Sequence, residues 1–317
     1  MKRVLVVYYS QTGQLLRVAR SVCGPLEAAG DIAVDWCELR PQRPYPFPWP
    51  FFEFFDQFPE TVHLDPPELL PLPVADDQRY ELIVLAYTVW FLSPSPPVAA
   101  FLKSEAGRRL LRDTPVVTLV ACRNMWHIAQ EEVKRLLHAA GARLSDNIVL
   151  TDAGSSLASF ITTPRWMLTG RTDPMWGLLP APGIPDHAVR AAARFGVALA
   201  GALRDGRLDG RRPVLNGLGA VEANVRLVPS EMIGRRSFRV WGRLLRALGP
   251  QGSRARRPVL AIYAAFLVTM IVTVVPVTML LRTLLGPLAA RRLAAQKAYF
   301  EQPSGSGRER LAEQSSG

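Results

Sequence analysis

The sequence predicts an α/β fold built on a doubly wound, five-stranded parallel sheet. Two observations predict it: five short, mainly apolar segments alternate with segments of helical spacing, and these apolar segments lack a polar side. A strand without a polar side is buried on both faces, as the strands of parallel sheets are. The alternation of such strands with helices favours crossover connections that place helices on both faces of the sheet.

The predicted strands are short segments rich in β-branched and aromatic residues. They cover residues 4–9, 32–39, 82–87, 116–121 and 147–150. Apolar residues at helical spacing predict the helices that follow them. These helices are expected at residues 15–22, 98–111, 128–140 and 186–203, the third of them ending at Gly141.

Residues 41–76 interrupt the alternation. The segment is dense in proline and aromatic residues, and proline disfavours regular elements. It is therefore predicted to be an irregular insertion, whose aromatic side chains pack on the domain, cover a site or contact lipid.

Composition limits the kinds of site that the chain offers. Its 3 cysteines are too few and too scattered for a disulfide framework or a Cys-x-x-Cys metal site, and its 4 histidines show no ligand spacing. We therefore predict no metal site. The segment Met1-Lys2-Arg3 enters a strand at once, without the cleavage site of a signal peptide, which favours a cytoplasmic domain.

The net charge of +11 comes from the C-terminal part of the chain. Residues 201–317 contain 19 Arg or Lys and 7 Asp or Glu, whereas residues 1–200 contain 19 and 20. Such asymmetry indicates an anionic partner, either a nucleic acid or a membrane surface.

The loop between the first strand and the first helix, residues 10–14, has the features of a phosphate site. Ser10 and Thr12 provide hydroxyl donors, and Gly13 lets the backbone approach a ligand closely. The first N–H groups of a helix lack partners within the helix and attract anions. An ordinary helix cap explains the hydroxyls equally well, and the loop is neither a Walker loop nor a Gly-x-Gly-x-x-Gly loop.

Two further loops lie at the carboxyl ends of strands, where ligands of doubly wound sheets bind. The loop after the third strand contains Trp90 and Phe91, and the loop after the fourth contains Asn124, Met125 and Trp126. Phosphate donors beside large flat side chains suit a phosphorylated, planar aromatic ligand. Aromatic walls are therefore predicted at Trp90, Phe91 and Trp126.

The segment YYSQTGQ resembles the phosphate loop of flavodoxin-like proteins, and YTVWFLSPSPPVAAFL is similar to their flavin-flanking loop. The resemblance covers about residues 1–205 and implies a flavodoxin-like fold that binds FMN. The residues that it assigns to the phosphate are Ser10, Gln11, Thr12, Gly13 and Gln14. Those that it assigns to the flavin ring are Trp90, Phe91 and Leu92 on one side, and Cys122, Arg123, Asn124 and Met125 at the pyrimidine edge.

The C-terminal third favours a membrane over a nucleic acid as the anionic partner. Residues 259–281 are 23 residues without a charge, long enough to cross a hydrocarbon core of about 30 Å. Residues 230–249 predict a basic amphipathic helix with Trp241 as an interfacial anchor, which is typical of a helix lying on anionic headgroups. No nucleic acid partner is therefore expected.

These features predict a flavodoxin-like domain over residues 1–205, a linker with the amphipathic helix over 206–250, an apolar segment over 258–286 and a polar tail over 287–317. Arginines flank both ends of the apolar segment. The positive-inside rule therefore does not choose between a full span, which would carry the tail across, and a re-entrant hairpin at Pro276. The last part of this tail, residues 301–317, is polar and is expected to be disordered. The flavin domain is expected to lie on the cytoplasmic side of a bacterial inner membrane.

Over nearly its full length the chain also resembles the dialkylresorcinol condensing enzyme family. The resemblance rests on VLVVYYSQTGQL, the Arg-rich helix, the proline-containing apolar segment and RRLAAQKAYFEQPSG. It implies a role beside a ketosynthase in making 2,5-dialkylresorcinol lipids. A carbon–carbon condensation usually needs an activated cysteine with a histidine helper, and Cys122 has only His127 near it in sequence. A flavin instead suits the oxidation of a lipid-soluble 2,5-dialkylcyclohexane-1,3-dione to the resorcinol.

Two other functions stay open. A quinone or flavin reductase would use the same site with NAD(P)H. A non-catalytic membrane partner of a ketosynthase would bind FMN weakly or not at all. The sequence identifies no catalytic base.

Overall fold

The computed structural model of the chain describes residues 1–152, 156–175, 181–209, 212–285 and 290–311. Its centre is a five-stranded parallel sheet, whose order is β2-β1-β3-β4-β5. This is the order of the flavodoxin-like doubly wound fold, in which the direction of winding reverses between β1 and β3. The predicted fold class is confirmed. The strands are β1 (Lys2–Tyr8), β2 (Ile32–Glu38), β3 (Leu82–Tyr87), β4 (Pro115–Cys122) and β5 (Arg143–Thr151).

The helices follow the strands and continue beyond the sheet. In chain order they are α1 (Gln14–Glu27), α2 (Phe51–Asp56), α3 (Phe58–Val62), α4 (Pro96–Lys103), α5 (Glu105–Leu111), α6 (His127–Ala139), α7 (Ser156–Thr169), α8 (Asp186–Ala191), α9 (Ala193–Arg204), α10 (Val228–Ala247), α11 (Arg257–Leu285) and α12 (Ala290–Phe300).

Two of the predicted helices are each divided into two. The segment expected as one helix over 98–111 forms α4 and α5, which are separated by Ser104. Ser104 has an extended backbone with ψ 156°, and its Oγ accepts a hydrogen bond from the N–H of Gly107 at 2.9 Å, so it caps α5. The segment over 186–203 divides in the same way at Ala192. Apolar spacing continues through both breaks, and periodicity alone therefore does not show them.

The insertion at residues 41–76 contains two short helices, α2 and α3, and is not wholly irregular. Its aromatic residues pack against the rest of the chain. Phe58 is fully buried in a small apolar cluster, separate from the main core, to which α10 contributes Leu245 and α11 contributes Leu260 and Tyr263. The insertion therefore joins the sheet domain to the two C-terminal helices.

The predicted amphipathic helix is present as α10, and the predicted apolar segment lies within α11. Among the described residues one helical segment, Arg254–Thr273, is long and apolar enough to cross a membrane. Of the two topologies that the sequence left open, the hairpin at Pro276 is not formed, because α11 continues as a helix through this position to Leu285. A proline removes one backbone donor, but an apolar helix can continue through it.

The expectation of a disordered tail over residues 301–317 is wrong for residues 301–311. After α12 (Ala290–Phe300) the chain lies against β5, where Ser304 is fully buried. Its Oγ accepts a hydrogen bond from the backbone N–H of Asn147 at 2.8 Å and donates to Asp146 Oδ1 at 2.9 Å. The polar composition of the tail suggested disorder. The tail is ordered because its partners are buried polar groups of β5, which lie far away in sequence and which composition does not reveal.

Candidate functional site

A cavity of about 230 Å³ lies at the carboxyl edge of the sheet. Residues that follow β1, β3, β4 and β5 line it, together with residues of the insertion and of α7. The winding of the sheet reverses between β1 and β3, and ligands of doubly wound sheets bind at the edge beside such a reversal. The cavity is therefore the candidate site.

The loop after β1 presents donors at one end of this cavity. Ser10 and Thr12 both line it. Gly13 has a φ of +78°, in the left-handed region that favours glycine, and directly precedes α1. The Oγ of Ser10 also accepts a hydrogen bond from the N–H of Leu16 at 3.2 Å, so Ser10 caps the helix as well. The hydroxyl protons and the first N–H groups of α1 give this loop the character of an anion site.

Gln11 and Gln14 line the cavity and hold neighbouring segments against the loop. Gln11 Nε2 donates to the carbonyl of Pro46 at 2.8 Å, and its Oε1 accepts from Trp49 Nε1 at 3.2 Å. The Oε1 of Gln14 accepts from the N–H of Ile184 at 2.9 Å. Both side-chain amides therefore position the segments around the site.

Aromatic rings from two parts of the chain form one wall. The ring of Trp90, after β3, and the ring of Trp49, in the insertion, have centroids 5.7 Å apart at 77°. Tyr45 contacts both, with its centroid 5.1 Å from Trp90 and 5.6 Å from Trp49. Trp49 also contacts Phe54, which lines the cavity, at 6.0 Å. The insertion therefore covers the site, which is one of the three roles expected for it.

The side chains of Phe91 and Leu92 lie in different surroundings. Both residues have positive φ angles, 48° and 60°, which residues other than glycine rarely adopt. Phe91 lines the cavity, and its ring lies 5.3 Å from that of Phe54 and 5.6 Å from that of Phe238 in α10. Leu92 does not line the cavity and lies against Gly234 of α10.

The loop after β4 contributes Cys122 and Arg123 to the lining, whereas Asn124 and Met125 lie outside it. Burial raises the pKa of the Cys122 thiol, which is therefore protonated at neutral pH. Burial lowers the pKa of Arg123 to about 10, and the charge of Asp152 opposes this shift. Arg123 consequently keeps its positive charge at neutral pH.

Asp152, which the sequence did not single out, joins three segments at the cavity. It is the first residue after β5. Its Oδ2 accepts a hydrogen bond from the N–H of Gly183 at 3.0 Å, and its own N–H donates to the carbonyls of Cys122 at 3.1 Å and Arg123 at 3.0 Å. The sequence does contain a signal for Asp152, because it is a carboxylate directly after the last strand, at the sheet edge where ligands bind.

The sequence also did not predict α7, which contributes Thr163, Trp166 and Met167 to the lining. These residues stand three and four apart, so they share one face of the helix. Proline at position 164 hides the helical pattern in the sequence.

The prediction that Trp126 forms an aromatic wall is wrong. Its side chain is 1% exposed in the main core and stacks on His127, with ring centroids 4.4 Å apart. The Nδ1 of His127 lies 2.7 Å from Glu231 Oε1, and both side chains are fully buried. Trp126 is thus buried together with His127, whose partner Glu231 lies 104 residues further along the chain.

The lining is polar at the loop after β1 and aromatic along the wall. Among the residues described there, Cys122, Arg123 and Asp152 are the only titratable groups, and none is a histidine. Such a lining can orient a planar anionic ligand and place it beside the positive charge of Arg123. It offers a protonated thiol in place of a nucleophilic thiolate.

Comparison with solved structures finds flavoproteins. A flavodoxin from the domain Archaea matches 64% of this chain and 99% of its own, with 11% identity and a TM-score of 0.35. A flavoprotein in complex with FMN from Lactobacillus acidophilus matches 47% and 93%, with 18% identity and a TM-score of 0.38. A flavone reductase matches 84% and 98%, with 12% identity and a TM-score of 0.35. No family model and no curated protein matches the sequence.

Proposed function

We propose that the chain is an FMN-dependent oxidoreductase. The observation that carries the proposal is the cavity at the β1 and β3 edge, which combines hydroxyl and amide donors with a wall of aromatic rings. A phosphate group and a large flat ring are the two parts of FMN that such a lining suits.

The residues present fit this group. Ser10, Thr12 and the first N–H groups of α1 would hold the phosphate. Trp90 and Trp49 would lie beside the ring, and the backbone around Arg123 would meet its polar edge. When bound, FMN supplies a two-electron oxidant or reductant.

The protein's own groups then orient the reactants and exclude water. The rings of Trp49, Phe54 and Trp90 make the wall apolar, which suits a flat, greasy ring better than a small polar metabolite. Arg123 places a positive charge that favours a ligand which becomes more negative on reduction. Asp152 keeps this loop in place through its backbone N–H.

As the substrate we propose a 2,5-dialkylcyclohexane-1,3-dione. Such a dione is acidic between its carbonyls, so its enolisation needs no strong base. Loss of one hydride, which reduces FMN, and of one proton gives the 2,5-dialkylresorcinol. The gain of aromaticity makes the step effectively irreversible.

A condensation through a cysteine has less support. Burial raises the pKa of Cys122, and burial raises that of Cys23 and that of Cys37 to about 12. His127, the histidine nearest to Cys122 in sequence, is paired with Glu231. Within the described part of the chain, these three thiols are therefore protonated, and His127 is engaged by Glu231 and does not activate Cys122.

We further propose that the protein works at the cytoplasmic face of a bacterial inner membrane, beside a ketosynthase that supplies the dione. The alkyl chains of such a substrate partition into lipid. The apolar helix α11 and the arginines near it suit this location.

The test uses full-length protein purified in detergent and loaded with FMN. Mixed anaerobically with the dione, the flavin absorbance should bleach, and one resorcinol should form per flavin. Bleaching by NADH or NADPH but not by the dione would replace the proposal with a flavin-dependent reductase. A protein that takes up no FMN would contradict the proposal altogether and favour a non-catalytic partner of the ketosynthase.

A further inference from the structure

The exposed side of α10 carries a strip of apolar residues beside exposed arginines. Ile233, Val240, Leu244 and Leu248 follow each other at helical spacing and are 56%, 64%, 47% and 38% exposed. On the inward side of the helix, Glu231 is buried against the domain. A surface helix of a water-soluble domain normally presents polar side chains outward. This apolar strip of α10 is therefore better suited to contact with a partner than with water.

The same apolar surface continues on α11. Trp241 of α10 and Phe266 of α11 have ring centroids 5.5 Å apart, which joins the two helices. Beyond this contact α11 exposes further apolar side chains at 57–67%: Ile262, Val268, Val272 and Val277. We call the exposed apolar residues of α10 and α11 the apolar face. Its extent over two adjoining helices exceeds the isolated exposed residues that are normal on a surface.

The charge around this face has one sign. Residues 232–300 contain 12 Arg or Lys and no Asp or Glu. Positive charge beside apolar surface favours a bilayer that contains anionic phospholipids. A second copy of the chain would bring the same excess of positive charge and would be repelled.

Part of this charge gathers in a second cavity of about 320 Å³, between the end of α3, α6 and α10. Arg239 and Arg243 of α10 line it together with Arg135 and Glu132 of α6. Glu132 is paired with Arg235 and with Arg135, whereas neither Arg239 nor Arg243 forms a salt bridge within the described part of the chain. Burial and the charge of Arg235 lower the pKa of Arg239, as crowding of cations does. An anion would relieve this crowding.

The chain is bound to the sheet domain and its insertion before α11, and it is bound to them again after α12. Just before α11, Arg256 is 1% exposed and pairs with Asp56 at 3.0 Å and Glu60 at 2.7 Å, both in the insertion. After α12, Glu301 Oε1 accepts a hydrogen bond from the N–H of Ala223 at 3.1 Å, and Ser304 is bound to β5. A helix that crossed the bilayer would place its far end away from the sheet domain.

We propose that the apolar face of α10 and α11 enters an anionic phospholipid bilayer without crossing it, and that Arg239 and Arg243 bind the phosphate of a lipid headgroup. The inference rests on the membrane association proposed above, and not on the reaction. The docked face adjoins the candidate site, because the ring of Phe238 lies 5.6 Å from Phe91 and 6.0 Å from Tyr263 of α11. An apolar substrate would thus reach the site from the lipid.

The first experiment measures binding of the full-length protein to vesicles by co-sedimentation, with phosphatidylglycerol in phosphatidylcholine or phosphatidylcholine alone. The double variant Arg239→Gln/Arg243→Gln should bind the anionic vesicles roughly 30-fold more weakly, at about a factor of five for each arginine. The matched control Arg108→Gln/Arg112→Gln removes the same charge from two exposed positions, one in α5 and one directly after it. Equal weakening of both double variants would overturn the headgroup site, and so would inorganic phosphate that competes as well as the lipid does.

The apolar contact has its own matched pair. Val240→Glu changes a residue of the apolar face that is 64% exposed, and Val197→Glu changes one on α9 that is 53% exposed. Both positions are solvent-accessible, so both variants should fold. Only Val240→Glu should lose vesicle binding, and comparable binding by the two would overturn the docking face. So would a stable dimer that ignores vesicles.

The second experiment tests sidedness. The three natural cysteines are buried, so a cysteine placed on the surface is the one that a membrane-impermeant maleimide reaches. Arg292→Cys on α12 and Asp77→Cys in the sheet domain are both at exposed positions. On intact vesicles both should be labelled equally. Protection of Arg292→Cys until detergent is added would show a full span and overturn the inference. FMN occupancy, measured separately, reports on the proposed reaction and is independent of both results.

Discussion

Thr12 stands where the loop after β1 meets the first turn of α1, and it lines the cavity. Thr12→Asp places a negative charge where the phosphate of FMN is expected to bind. Like charges brought together in a complex cost several kcal/mol, so the Kd for FMN should rise at least about 100-fold. Thr12→Ser keeps the hydroxyl and should bind like the natural protein. Titration of FMN fluorescence measures both, and an unchanged Kd for Thr12→Asp would show that the phosphate binds elsewhere.

Local and distant contacts decide which site residues the sequence reveals. Ser10 and Thr12 could be predicted, because one strand, one loop and one helix are consecutive and fix their positions at the sheet edge. Trp49 and Asp152 reach the same cavity only through the tertiary fold, by way of an irregular insertion and the end of the last strand. Trp126 was assigned wrongly, since its burial depends on the pairing of His127 with a helix far along the chain.

At the scale of elements, the buried carboxylate of Glu231 binds α10 to α6, beside the salt bridge between Arg235 and Glu132. Glu231 Oε2 accepts a hydrogen bond from the N–H of Ile128 at 2.9 Å, and its Oε1 lies 2.7 Å from His127 Nδ1. The carboxylate therefore satisfies an N–H group at the start of α6, where a negative charge is also favourable. The amphipathic pattern predicted α10 as a helix, but it could not show that an acidic residue would face inward.

This contact predicts the effect of Glu231→Gln. The amide keeps the size of the side chain but turns one acceptor into a donor, so a buried N–H loses its partner. The free energy of unfolding should fall by about 2 kcal/mol. Glu222→Gln is the control, because Glu222 is largely exposed and its pairing with Arg308 should contribute less than about 1 kcal/mol. Urea unfolding of the full-length protein measures both, and equal stabilities would contradict the role of Glu231.

At the scale of the whole molecule, the sheet domain and the C-terminal segments are packed together. Asp146 of β5 accepts hydrogen bonds from the N–H groups of Val214 at 3.1 Å and Leu215 at 3.0 Å, and from Ser304 Oγ at 2.9 Å. One buried carboxylate thus holds both the linker and the tail. The sequence placed a boundary near residue 205 from composition and charge, which do not report contacts between distant segments.

Removal of the tail tests this packing. A chain that ends at Phe300 lacks Glu301 and Ser304, so the N–H groups of Ala223 and Asn147 lose their protein partners. Asp146 Oδ1 loses the hydroxyl of Ser304 and keeps the N–H of Leu215. Water replaces part of these hydrogen bonds once the surface opens, which limits the cost. The free energy of unfolding should therefore fall by about 2–4 kcal/mol, measured by urea unfolding.

Two further variants separate the effect of losing these hydrogen bonds from the effect of shortening the tail. A chain that ends at Leu311 keeps these contacts, and its stability should lie within about 0.5 kcal/mol of the natural protein. Ser304→Ala removes a single hydroxyl that serves Asn147 and Asp146 at once, and should account for about 1–3 kcal/mol of the loss. If the chain ending at Phe300 were as stable as the one ending at Leu311, the tail would not be bound to β5. The end of α11 could then lie far from the sheet domain, and the one-sided membrane contact would lose its structural basis.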